Sequence, residues 1–97
     1  MSKSDHHEVA GHHLNHKQFA VLEKVYAHPV THKLTWHEVE TLLDAVGELE
    51  IKHNGSWHVT IGGQPEVFHH NHGKELTTEQ VLDLRRMLTA AGLELHK

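Results

Sequence analysis

Residues 47–61 read Gly-Glu-Leu-Glu-Ile-Lys-His-Asn-Gly-Ser-Trp-His-Val-Thr-Ile, two alternating runs either side of an Asn-Gly pair. Before Asn54-Gly55, Leu49 and Ile51 alternate with Glu48, Glu50 and Lys52; after it, Trp57, Val59 and Ile61 alternate with His58 and Thr60. A period of two is that of a strand with one dry and one wet face. Asn-Gly between two such runs marks a hairpin. The register follows from the faces, because directly opposed residues share one. A two-residue turn would set Ile51 against His58 and Lys52 against Trp57, mixing apolar and charged groups on both faces. A three-residue loop, His53-Asn54-Gly55, sets Ile51 against Trp57, Leu49 against Val59 and Glu50 against His58. Every apolar side chain then points one way, and Gly55 takes the left-handed position of the bulge. The three-residue loop is therefore expected, with His58 and Thr60 in solvent.

Helical spacing flanks this hairpin. Thr35 and Glu38 form a capping-box pair, and behind them Trp36, Val39, Leu42, Leu43 and Val46 make an apolar stripe closed by Gly47. This predicts a helix over 36–46. Asn15 and Gln18 start an earlier one, over 16–27, ended by Pro29. After the hairpin, Gly62-Gly63-Gln64-Pro65 reads as a turn, Val67-Phe68 as a third strand and 69–73 as a loop. Thr77 and Gln80 open a last helix through Val81, Leu84 and Leu88 to Gly92. The fold class is α+β, a three-stranded antiparallel meander with helices on one face. Trp36 and Trp57 are read as core rather than as stacking surfaces.

The chain has 97 residues, which is one domain. Zero Cys excludes a disulfide framework, a thiolate zinc site and a cysteine nucleophile. No apolar run is long enough to cross a membrane and no secretory leader is visible, so a cytoplasmic protein is expected. Histidine is the unusual count, 14, against a net charge of −4 with His neutral. Acidity at neutral pH argues against strong non-specific nucleic-acid binding. Residues 1–14 lack a periodic apolar stripe and are expected to be a flexible His-rich tail, with residues 15–97 as the single domain.

From Lys33 onward the ordered signals resemble the HicA family, small ribonuclease toxins of bacterial toxin–antitoxin modules. Five pieces carry the likeness: the helix Trp36-His37-Glu38-Val39-Glu40 ending at Gly47; Gly55-Ser56-Trp57-His58-Val59, like the family's Gly-Ser-x-His element; the strand with Val67; His72-Gly73-Lys74-Glu75-Leu76, like its His-x-x-Glu-Leu loop; and the closing Ala91-Gly92-Leu93. The resemblance covers about two-thirds of the chain. It implies a double-stranded-RNA-binding-like α-β-β-β-α domain, here preceded by an extra N-terminal helix. It further implies a metal-independent endoribonuclease acting on single-stranded mRNA and silenced by an antitoxin protein, with no cofactor. The acidic charge and the extra segment 1–32 depart from the short, basic family pattern.

By that resemblance His58 is the catalytic candidate; Ser56, His72 and Lys74 of the matching elements, with Lys52 on the same sheet face as His58 and Ser56, are the expected RNA contacts. Cleavage without metal needs a base for the ribose 2′-OH and an acid for the leaving 5′-oxygen, and histidine serves both near neutral pH. Lys52 brings a point charge to phosphate, and His69, His70 or His72 stand as possible neighbours of His58. Arg85 and Arg86 add positive charge nearby in sequence. Two other readings compete: a non-catalytic protein- or RNA-binding module of the same fold, and a His-rich metal-binding protein built on the tail or on His69, His70 and His72. Neighbouring His69 and His70 would point to opposite faces of a strand, which disfavours a shared ion, and no metal ligand is assigned.

Overall fold

The structure is a computed structural model describing residues 7–27, 33–69 and 73–95. Its elements are β1 (His7–Val9), β2 (His12–Leu14), α1 (His16–Val25), α2 (Trp36–Val46), β3 (Gly47–Ile51), β4 (Ser56–Ile61), β5 (Gln64–His69) and α3 (Thr78–Ala90). The three helices and the antiparallel sheet β3-β4-β5 make a small α+β domain, and β1-β2 is a separate hairpin. No helix among the described residues is long and apolar enough to cross a membrane.

All three helices start on the capping boxes the sequence shows, Asn15/Gln18, Thr35/Glu38 and Thr77/Gln80. Each pairs the cap side chain with the N3 amide and the N3 side chain with the cap amide, satisfying two donors that the helix cannot. A short antiparallel bridge, Thr35 with Glu75, joins the approaches to α2 and α3. Leu76 N–H donates to Leu34 C=O (2.9 Å) and Trp36 N–H to Lys74 C=O (3.1 Å). The two helices therefore start from one clamp.

The β3-β4 register is the three-residue-loop one: Leu49 opposite Val59, Glu50 opposite His58, Ile51 opposite Trp57. Gly55 has φ +92°, and Asn54 Oδ1 accepts from Ser56 N–H at 3.0 Å. The β4-β5 connection differs from the four-residue turn expected. Gly62 and Gly63 alone turn the chain, at φ +59° and +81°, so Gln64 and Pro65 belong to β5, opposite Ile61 and Thr60. Positive φ at both positions is a tight primed turn, which twists as the strands do. Proline is tolerated there because β5 is an edge strand.

Trp57, Val59, Ile61 and Phe68 face α2 and α3 and are buried, as are Trp36, Val39, Leu42, Leu43, Val81, Leu84 and Leu88. Trp36 and Trp57 meet with ring centroids 4.9 Å apart and planes tilted by 59°. Gly47 does not close α2 in the left-handed conformation. Its backbone is extended and runs directly into β3, and glycine is required by space: a Cβ there would overlap the Thr60 carbonyl oxygen.

The tail expected over 1–14 is corrected over its described part. Residues 7–14 form the β1-β2 hairpin, with His7 opposite Leu14 and Val9 opposite His12. Leu14 is fully buried and Val9 packs on the core. Three-residue strands leave only one or two inward positions, too few to show a period. The turn at Ala10-Gly11 also lacks the usual sequence signal, since Ala10 adopts φ +52° without being glycine.

α1 docks on α2 and α3 through Val21, Leu22, Val25 and Tyr26. The Tyr26 hydroxyl is 2.7 Å from Thr89 Oγ1, and burial pushes its phenol pKa up. Arg85 donates from Nε to Val25 C=O (2.9 Å) and from a terminal guanidinium nitrogen to Ala27 C=O (3.2 Å), closing the end of α1. Lys24 Nζ meets Glu38 Oε2 at 2.6 Å across the α1-α2 seam. Burial would raise the Glu38 carboxyl, but hydrogen bonds from Lys24 and Thr35 outweigh it and hold the group below its ordinary value.

Two outcomes follow for stability. Leu14→Ala should cost about 2–5 kcal/mol in urea unfolding, the range for a buried leucine; a loss below about 0.5 kcal/mol would place the hairpin off the core. A carboxyl depressed in the folded state stabilises above its unfolded value and loses that contribution as pH falls through the folded one. Glu38→Gln keeps a capping-box side chain, so it should flatten the fall in urea midpoint below about pH 4.5. Equal acid slopes for variant and wild type would remove Glu38 from the account.

Candidate functional site

Alternation along β3 and β4 places their polar residues on one open face, to which β5 adds Pro65, Val67 and His69 while Gln64 and Glu66 fall on the helix-facing side. Directly opposed, the residues of the open face form three rows across the sheet: Glu48-Thr60-Pro65, Glu50-His58-Val67 and Lys52-Ser56-His69. The third row begins at the loop, where Lys52 N–H donates to Ser56 C=O at 2.9 Å. His58 is in the central row of the central strand, half-buried, and a shallow open depression around it is lined by Glu50, Thr60, Pro65, Glu66 and Val67.

The structure brings His58, Lys52 and Ser56 together on this face. Glu50, opposite His58 in the ladder, directs its carboxylate to Lys52 Nζ at 3.1 Å. Ser56 is only 9% exposed, so its hydroxyl offers a ligand little surface. Lys74 belongs elsewhere, in the clamp that joins the starts of α2 and α3. His72 and His70 lie outside the described residues. The residue opposite His58 on β5 is Val67, while His69 stands opposite Ser56. That makes His69 the diagonal neighbour of His58 on the same face.

Arg85 and Arg86 are engaged in the helical layer, Arg85 at the end of α1 and Arg86 with Asp83. The residues that sequence reasoning missed around His58 are Pro65 and Val67, apolar neighbours on an exposed strand. The Gly62-Gly63 pair was the signal that fixes their register. Among the described residues no three His, Asp or Glu side chains are placed to hold a metal ion. His13 pairs with Glu8 across the β1-β2 hairpin at 3.2 Å.

A second concavity, about 290 Å³, lies in the α1-α2 seam over Ala20 and Val21. The facing charges on its walls, Lys24 and Glu38, are already joined. The sheet face is the better candidate for chemistry, since it presents an imidazole beside a lysine with open access.

No protein-family model matches the chain, and no curated protein or solved structure is significantly similar to it.

Neighbouring residues on β4 should separate cleanly in stability. His58→Ala, on the open face, should change unfolding free energy by about 0.5 kcal/mol or less. Trp57→Ala, buried against Trp36, should cost about 3–5 kcal/mol. A large loss for His58→Ala in thermal or urea unfolding would make the imidazole a structural group.

Proposed function

We propose that the protein is a HicA-like RNA-binding domain with the double-stranded-RNA-binding type of fold, acting as a toxin ribonuclease on single-stranded mRNA in the cytoplasm and silenced by an antitoxin partner. The supporting observation is the position of His58. The Gly55-Ser56-Trp57-His58 element puts Trp57 in the core and His58 at the centre of the open sheet face, on the same side as Lys52. In cleavage the ribose 2′-oxygen attacks phosphorus and the bond to the 5′-oxygen breaks, leaving a cyclic phosphate and a 5′-hydroxyl. One proton leaves the 2′-OH and another reaches the departing oxygen. His58 carries one of these transfers, and His69, its diagonal neighbour, is the described imidazole placed for the other. Lys52 meets the phosphate oxygens as a point charge.

A non-catalytic binding module is the second reading, and the charges favour it. Glu48, Glu50 and Glu66 are exposed on or beside this face, and Lys52 is held by Glu50, so the surroundings of His58 do not attract phosphate strongly.

Purified protein mixed with a long single-stranded RNA separates the two readings. Wild type should cleave, His58→Ala should not, and a chelator should leave cleavage intact. Affinity should fall with salt on a shallow slope, because few cations face the RNA. It should rise below about pH 6.5, where histidine ordinarily gains charge. Absence of cleavage by wild type at every pH from about 5.5 to 8 would overturn the enzyme reading and leave the binding module.

A further inference from the structure

The two edges of the sheet are not equivalent. Ladder alternation turns the backbone groups of Pro65, Val67 and His69 outward on β5. Pro65 has no N–H to offer, and the His69 carbonyl already accepts from Gln80 Nε2 at 2.8 Å. That edge is blunted at both ends, as natural edge strands usually are. On β3 the hydrogen bond from Lys52 N–H to Ser56 C=O sets the phase. Glu50 therefore bonds inward to β4, and Leu49 and Ile51 turn their N–H and C=O groups outward. Gly47 sits at the occupied end: its N–H goes to Leu43 C=O, and His12 of β2 lies beside it and Glu48. Among the described residues the Leu49–Ile51 half of this edge is unpaired. It also carries the largest exposed apolar side chain of the sheet, Ile51 at 50%, on the helix-facing side where the helical layer does not reach.

We infer that this half-edge is a self-association surface, pairing β3 antiparallel with β3 of a second copy about a two-fold axis at Ile51. Charge selects the register. Pairing centred on Leu49 would set Glu48 against Glu50 twice, and pairing centred on Glu50 would set that carboxylate against itself; like charges directly opposed are destabilising. Centred on Ile51, each Glu50 faces Lys52 of the other copy and the two Ile51 side chains meet. The same centring moves the Gly47 ends, with their β1-β2 hairpins, to opposite corners. An isologous contact of this kind closes at two copies. It continues the sheet to six strands with both open faces on one side. The contact is short, well below the area of a standard stable interface, so the dimer is weak and concentration-dependent. It does not depend on the ribonuclease reading.

Sedimentation velocity on the full chain, from about 10 μM to about 1 mM, the range of weak small interfaces, tests it. The weight-average mass of wild type should rise from 11.1 kDa toward twice that value. Ile51→Lys, Glu50→Lys and Lys52→Glu should each hold the protein at the monomer mass, with circular dichroism spectra unchanged. The double variant Glu50→Lys/Lys52→Glu should restore the rise, because the swapped charges again face each other. A wild type that stays monomeric throughout would overturn the inference. So would association that all single variants share equally, or a double variant that fails to recover while its parents fail to associate.

Discussion

Trp36 in the first turn of α2 and Trp57 on β4 meet at 4.9 Å, and this contact ties the helical layer to the sheet. Both rings are nearly fully buried, and Val39, Val59, Phe68, Leu76 and Leu84 close around them without room for a water molecule. Once Trp57 is committed inward, period-two geometry leaves its neighbours no choice. Ser56 and His58 must point to the other face, and with them Glu50 and Lys52 through the ladder. The position of the candidate chemistry is therefore a consequence of core packing, one residue away along the strand.

The same contact explains why the junctions around it are tight. α2 enters β3 without a connecting loop, and Gly47 at the junction lies against the Thr60 backbone too closely for any side chain. Thr35 with Glu75, flanked by Leu34 and Leu76, fixes the other end of α2 to the approach of α3. With 37% apolar residues, the sheet, α2 and α3 alone would leave the outer helical surfaces bare. α1 and the β1-β2 hairpin add Leu14, Val21, Leu22, Val25 and Tyr26 to one continuous core. In a small domain such increments decide whether burial exceeds chain entropy.

Most of this was legible in the sequence because each signal was redundant. The α2 stripe carried its own capping box, and the β3-β4 register was fixed twice, by Asn54-Gly55 and by the agreement of faces across the loop. Where one signal stood alone, reading failed. Gly62-Gly63 suffices as a turn, but Gln64 and Pro65 look like turn residues, and only an edge position makes proline compatible with a strand. The N-terminal hairpin has strands too short for periodicity, and its turn rests on Ala10 in a conformation that alanine disfavours. The site was legible to the extent that the register was: His58 opposite Glu50 followed from the loop length. Its β5 neighbours, Val67 and Pro65, depended on the second turn. The partnering of Arg85 with the end of α1 depended on a contact 60 residues away in sequence, which no local pattern contains.

The acidic setting of His58 weighs less against an anionic ligand than the count of carboxylates suggests. Lys52 and Glu50 are both well exposed, at 43% and 69% of their side-chain surface, and ion pairs in that setting contribute about 0–1 kcal/mol. A phosphate competing for Lys52 displaces a bond of that order, a factor of about five in affinity at most. More distant exposed carboxylates are screened over a Debye length of about 8 Å at physiological salt. The outcome is then set by short-range geometry: whether a ribose and its phosphate can seat against Val67 and Pro65 with the 2′-oxygen at the imidazole. Two apolar side chains on an otherwise polar face offer a contact surface that does not depend on charge, and their register beside His58 is fixed by the Gly62-Gly63 turn.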